Sequence, residues 1–353
     1  LEYIEMKERA DNHIGGSKLN EVIKKTLEQL IHKHMGTDTG VEINNLETNN
    51  DGYNNDITMF HLNLCFETKK ITKPVVLKKF SHSMNYYKEL YILKNESLNK
   101  YINIPKLYFE DQEKQFLLME QVKGITLDKY LKNSTNDMML TFAKFGSTLA
   151  HIHSVNINSL NDEYFKDNAI HPKSEINDYI ENLKSRVRGW QDPIYINILT
   201  NIEKSFEGIK FTEVLNHGDY HFCNTMITND HKLYILDWEK AFLGDHRFDI
   251  ANTIILGYSW FGIDFKESML YAYQNIQRED IEHLECFEAL LSFDSFTKVV
   301  PLIDGADDSH IRDRTFEWLK RRYELFIKHS GKRIEKAEEY YIACKNNLIK
   351  AET

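Results

Sequence analysis

Apolar and polar residues follow two periods along this chain, and the change from one to the other divides it. Residues 17–35, SKLNEVIKKTLEQLIHKHM, place Leu19, Val22, Ile23, Leu27, Leu30 and Ile31 at helical spacing, with Ser17 or Asn20 as cap and Gly36 as stop. TNNDGYNND at 48–56 reads as a turn. ITMFHLNLCFE at 57–67 reads as a strand, and after a turn at ETKK the β-branched PVVLKKF at 74–80 gives a second strand that Pro74 begins. Residues 50–80 are therefore a predicted hairpin. SMNYYKELYILKN at 83–95 returns to a helix, and KLYFEDQEKQFLLME reads as two strands around a turn at Asp111–Lys114.

The texture changes after VKGITLDKYL at 122–131, and helices are predicted at 136–153, 174–188, 193–208, 266–276, 280–297, 309–329 and 331–350. One stretch interrupts them: 214–241 reads as two short strands, TMIT and KLYILDW, joined by a turn at Asn229–His231. A strand-rich third followed by a helical remainder predicts an α+β protein of two lobes. The expected division is 1–121, an N-terminal helix with an antiparallel sheet and one helix, and 122–353, with a hinge-like connector near 120–124.

A length of 353 residues agrees with two cores rather than one. The net charge of −10 argues against nucleic acid, which requires a basic face. It suits a cationic ligand, and solubility explains it equally well. The 4 cysteines (Cys65, Cys223, Cys286, Cys344) include no CxxC pair, so neither a disulfide framework nor a structural zinc is signalled. They read as reduced thiols of a cytoplasmic protein. The opening LEYIEMKERADNH is charged and unlike a signal peptide, and it begins on Leu, so a start upstream is expected. The longest apolar run, IANTIILGYSWFGI at 250–263, is too short to span a bilayer.

Chemistry concentrates in LNHGDYHFCN at 215–224. His217, His221 and Cys223 are zinc-ligand types, but their spacing fits no zinc pattern and Cys223 lacks a partner. A dimetal hydrolase would need a GNH[DE] run, which is absent. Phosphoryl transfer fits. Protein kinases use H-R-D-x-x-x-x-N, and Asp219 and Asn224 stand at that separation with His217 two positions before Asp219. KLYILDW then delivers Asp237 where a magnesium-binding aspartate belongs. One carboxylate and one amide oxygen, Asp237 and Asn224, can hold magnesium while leaving positions for phosphate. Asp219 must then face the acceptor hydroxyl without capturing the metal. Upstream, VVLK resembles the VAIK strand, and alternation selects Lys78 over Lys79 as the phosphate lysine. Glu89, on the following helix, is the candidate to hold Lys78, and LLMEQVKG offers backbone groups of Glu120 and Val122 to an adenine.

These parts, in this order, resemble the aminoglycoside phosphotransferase and choline kinase family across nearly the whole chain. LNHGDYHFCNTMI resembles its HGDxHxxN loop, YILDWEKAFLGDHRFDIAN its aspartate segment, and LAHIHS at 149–154 its helix end. The resemblance implies a protein-kinase-like fold, Asp219 as catalytic base, Asn224 and Asp237 as magnesium ligands, and Asp249 as a buried brace. His217 is expected to orient the loop from a structural position. Two departures stand out. Only Gly52 is available where a glycine-rich loop would cover phosphates, and Gly218 replaces the HRD arginine. The twelve positions from Asp237 to Asp249 leave no room for an activation loop, which points to a small acceptor.

For that acceptor, acidic and aromatic residues accumulate late: Glu239, Tyr258, Trp260, Asp304, Asp307, Asp308, Glu317 and Trp318. Carboxylates suit ammonium groups and aromatic faces suit quaternary amines; solvated helix ends are the plain alternative. The expectation is a magnesium-dependent kinase using ATP or GTP on a small hydroxyl compound, an aminoglycoside or other antibiotic. The alternatives are a metabolite kinase acting on choline, thiamine or methylthioribose, or an idle nucleotide-binding relative.

Overall fold

Alternation on two long strands builds the first core. In the computed structural model, which describes residues 16–35, 40–49, 55–66, 69–133, 138–160, 172–190, 193–298, 309–335, 338–339 and 342, the chain forms two compact units. They are Leu1–Ile125 with Met226–Lys240, and Thr126–Thr225 with Ala241–Thr353.

The first unit opens with helix α1 (Gly16–Met35) and strands β1 (Gly40–Asn49), β2 (Asn55–Phe66) and β3 (Lys69–Phe80). Helix α2 (Ser83–Lys94), β4 (Leu107–Asp111), β5 (Phe116–Glu120) and β6 (Gly124–Thr126) follow. A five-stranded sheet runs in the order β1-β2-β3-β5-β4, with each neighbouring pair antiparallel. Leu27 and Ile31 of α1 pack with Phe60, Leu62, Val75, Leu77 and Leu118 on one face, each worth about 1.5–3 kcal/mol when fully buried. Val76 and Lys78 alternate to the other face, with Lys78 itself buried.

Two expectations shift here. Pro74 does not begin β3; it sits inside a strand starting at Lys69 and paired to β2 along its length. Its missing N–H is tolerated because β5 pairs β3 only from Val75 onward. β1 lies partly where a turn was expected at 48–56. Its apolar pattern is broken by a bulge between Asn44 and Glu47, with Asn45 at φ 51°, so alternation is lost midway.

The second unit takes over with α3 (Leu127–Asn133), α4 (Met138–His153), α5 (Pro172–Arg188), α6 (Pro193–Ser205) and β7 (Glu213–Asn216). The chain then returns to the first unit through the hairpin β8 (Thr225–Thr228) and β9 (Leu233–Ile235). It leaves again through β10 (Phe242–Asp245), α7 (His246–Phe261), α8 (Ile263–Gln277), α9 (Leu284–Thr297) and α10 (Ser309–Ser330). A single cut after residue 121 therefore does not describe the chain. The hairpin joins the first unit because β8 pairs with β6 and Asn103 clasps β9: its Nδ2 donates to Leu233 O at 2.9 Å and its carbonyl accepts from Ile235 N at 2.9 Å.

Helix α7 has no counterpart among the expected elements. Ile250, Ala251, Thr253, Ile254, Ile255 and Gly257 are all buried, so the helix is apolar around most of its circumference and shows no amphipathic period. Asp245 caps it by accepting from Arg247 N at 3.0 Å. The helix expected at 331–350 falls largely outside the described residues, and residues 331–334 are not helical.

Candidate functional site

In the first unit, β3 carries Lys78 into a nest of carboxylates. Lys78 Nζ donates to Glu89 Oε2 at 2.6 Å and to Asp237 Oδ1 at 2.5 Å, and Glu239 Oε2 lies 3.9 Å away. The side chains of Lys78 and Glu89 are 6% and 3% exposed, whereas that of Asp237 is 35% exposed. Burial opposes the ammonium, but Glu89 and Asp237 outweigh it and hold the Lys78 pKa above its ordinary value. Burial pushes Glu89 up to about 7, against the pull of Lys78 and with help from the Asp237 charge. The lysine is thus fixed in its charged form with one partner open to solvent.

Asp237 reaches that position by strain. It stands two residues beyond β9 at φ 65°, a left-handed conformation uncommon for residues other than glycine. Glu239, expected among the acceptor contacts, is instead buried here, accepting from Asn55 Nδ2 beside Lys78. In the expected adenine-facing segment, Glu120 N donates to Lys106 O at 2.9 Å, so that N–H is already engaged. Val122 is buried. A cavity of about 510 Å³ is lined by Pro74, Tyr108, Glu120, Val122 and Tyr234, but none of Lys78, Glu89 and Asp237 lines it.

In the second unit, the loop after β7 is folded around Asp249. The Asp249 carboxylate accepts from His217 N at 2.6 Å and Gly218 N at 2.9 Å. Gly218 has φ 79°, which explains a glycine where kinases carry arginine. The two histidines repeat one device. His217 Nδ1 accepts from Asp219 N at 3.2 Å, and His221 Nδ1 accepts from Cys223 N at 3.2 Å. Each ring caps the backbone two residues ahead, as asparagine does in an Asx turn. His221 Nε2 is left 3.6 Å from Asp219 Oδ1, a neighbour the sequence did not suggest.

Asn224 Nδ2 donates to Asp219 O at 3.1 Å, so its amide oxygen is the atom it can present to a cation. Behind the loop, Tyr220 OH donates to Phe145 O at 3.0 Å and Thr253 Oγ1 to Tyr220 O at 2.9 Å. His153 has its Nε2 3.5 Å from Asp249 Oδ2 and is hydrogen-bonded through Nδ1 to Tyr273 OH at 2.8 Å.

Each unit, taken by itself, presents an oxygen of a kind that suits magnesium. It takes hard oxygen ligands and needs only one or two from protein, keeping waters and phosphate oxygens for the rest. Asp237 offers a partly exposed carboxylate and Asn224 an amide oxygen. Among the described residues no three His, Cys, Asp or Glu side chains group to form a closed cage. Asp304, Asp307 and Asp308 lie outside the described residues. Among the described residues, no helix is long and apolar enough to cross a membrane.

A curated relative, a LicA homolog from Metamycoplasma hominis, is 29% identical over 157 residues, 44% of this chain and 56% of that protein; the match thus spans little more than half of the relative. A solved protein from Ralstonia eutropha assigned to the aminoglycoside phosphotransferases superposes with a TM-score of 0.64 at 16% identity, covering 88% of this chain and 99% of the other. The choline kinase LicA from Streptococcus pneumoniae superposes with a TM-score of 0.55 at 16% identity over the same shares. These likenesses show the fold, α+β and protein-kinase-like. The family described as phosphotransferase enzyme family (APH) matches residues 62–285, more than half of the chain, and the protein belongs to that family.

Proposed function

We propose that the protein is a kinase that moves the γ-phosphoryl group of a nucleoside triphosphate to a hydroxyl of a small molecule. The observation that carries this reading is the buried Lys78, held charged between Glu89 and the partly exposed Asp237. A cation kept rigid by one interior carboxylate, beside a second that reaches solvent, is suited to phosphate oxygens. Lys78 would bind those oxygens, with the Glu120 carbonyl and Val122 N–H toward the base. Asp237 and Asn224 each offer an oxygen to magnesium, which when bound neutralises charge on the phosphates. Asp219 would accept the proton of the attacking hydroxyl, oriented by its own N–H bond to His217 and by the Asn224 bond to its carbonyl. Asp249 would act only by bracing the loop.

An amino alcohol of the choline type is favoured as acceptor. The support is the 29% identity to a LicA homolog, taken with the solved LicA being a choline kinase. An aminoglycoside is the second reading, supported by the neighbour from Ralstonia eutropha. The test is phosphate transfer from ATP and GTP to choline, thiamine, methylthioribose and aminoglycosides, with magnesium. Asp219→Ala should lower kcat by about 10²–10⁴-fold with the fold kept. Equal turnover by variant and wild type would remove the proposal, and inertness of both with every acceptor would favour an idle nucleotide binder.

A further inference from the structure

Three cations of the second unit gather at one buried carboxylate. Asp294, on α9, has a side chain only 6% exposed, and both of its oxygens are engaged. Oδ1 accepts from Arg186 Nη1 of α5 at 2.7 Å. Oδ2 accepts from Tyr179 OH at 2.7 Å and from Lys298 Nζ, one turn further along, at 2.8 Å. Arg322, on α10, lies in the field of the same carboxylate and is only 7% exposed. Burial lowers its guanidinium to about 10, and among the described residues Asp294 is the charge that opposes the loss. Three positive groups against one carboxylate leave positive charge in excess, in a chain whose net charge is −10.

Asp294 already accepts three hydrogen bonds, so it is a shared counter-ion and not a dedicated partner of any one cation. The cluster is also open. The side chains of Arg186 and Lys298 are 39% and 60% exposed, so solvent reaches it on their side while Arg322 supplies charge from the interior. Arg186 is aimed in advance: its Nη1 also donates to Thr297 Oγ1 at 3.3 Å, and that hydroxyl is itself fixed by donating to Asp294 O at 2.9 Å. A guanidinium is a planar fork matched to the oxygens of carboxylates and phosphates, and a nearby ammonium adds point charge. We propose that Arg186, Lys298 and Arg322 form a binding site for a small oxyanion, the carboxylate or phosphate monoester group of a small molecule. Asp294 is the internal counter-ion that holds the cations together. The site lies wholly within the second unit, goes beyond the kinase reading and stands without it.

The test is a titration of the whole chain, labelled with 15N-arginine, with inorganic phosphate and with acetate at fixed ionic strength, without nucleotide or magnesium. The Nε–H resonances of Arg186 and Arg322, assigned through Arg186→Lys and Arg322→Lys, should shift saturably with one common Kd, which chloride does not reproduce. This readout is local, so phosphate held elsewhere on the chain does not register in it. Lys298→Gln, at an exposed side chain, should raise that Kd about three- to fivefold. Saturation by phosphate alone marks a phosphate site and saturation by acetate alone a carboxylate site, and either supports the proposal. It is overturned if neither anion moves both resonances saturably, or if Lys298→Gln leaves the Kd unchanged in a chain of native circular dichroism.

Discussion

At the scale of single residues, the aspartate loop owes its shape to groups that do no chemistry. Asp249 spends both carboxylate oxygens on His217 N and Gly218 N, and the two loop histidines cap Asp219 N and Cys223 N. Gly218 at φ 79° makes this possible. Gly218→Ala should cost about 1–2 kcal/mol from the left-handed backbone alone, read as a lower midpoint in urea, with kcat falling as Asp219 loses its position. An unchanged midpoint would mean that the loop adopts φ < 0 at no cost. Much of this was legible because it is local. The Asp219–Asn224 separation is set by one short turn, and alternation along β3 is enough to choose Lys78 over Lys79. His221 against Asp219 was not legible, since a histidine two residues away carries no mark of where its ring turns. Nor was Glu239, whose burial beside Lys78 depends on Asn55 of a distant strand.

At the scale of elements, contact distances decide more than propensity. Helices α4 and α8 pack along much of their length, and they do so because Gly146 lets them close. A Cβ placed there would lie 2.2 Å from Met269 O, a backbone atom that cannot swing away. Gly146→Ala should therefore destabilise by about 1–3 kcal/mol or more despite the better helix propensity of alanine. Thermal unfolding checks it, and a raised Tm would show that the helices separate freely. The sequence marked α4 by its apolar stripe but said nothing of its partner. It missed α7 for a related reason: a helix buried on most sides has no polar face to mark its period. β1 escaped because its bulge resets the alternation.

At the scale of the whole chain, acid should unfold the protein partly through His246. Burial, with His153 and Arg247 nearby, lowers its pKa to about 4 from 6.5, against the pull of Asp245. The unfolded imidazole therefore holds more protons than the folded one between those values, and stability rises with pH across the window. The contribution is complete above pH 6.5 and is lost as pH falls toward 4, amounting to at most about 3 kcal/mol. Urea midpoints at pH 7 and pH 4.5 should converge in His246→Asn relative to wild type; an identical pH slope in both would contradict the assignment. Nucleotide should act in the opposite sense. A non-hydrolysable ATP analogue with magnesium at a hundred times its Kd should stabilise the folded state by about 2.7 kcal/mol, raising Tm, and a chelator should remove most of the shift. Insensitivity to the chelator would argue against Asp237 and Asn224 as magnesium ligands.

By itself the sequence determined the succession of a strand-rich and a helix-rich part, the local spacing of the aspartate loop, and which of two adjacent lysines β3 buries. These follow from periods of two and 3.6 residues and from spacings shorter than a single turn, which chain geometry enforces locally. Only the tertiary structure decided that the hairpin 226–240 returns to the first unit, and that Asp237 meets Lys78 across 159 positions of chain. It alone gathered Arg186, Lys298 and Arg322 around Asp294. Those contacts are made by ion pairing, desolvation and close packing between segments far apart in the chain, and no local period records which distant partner a side chain will find.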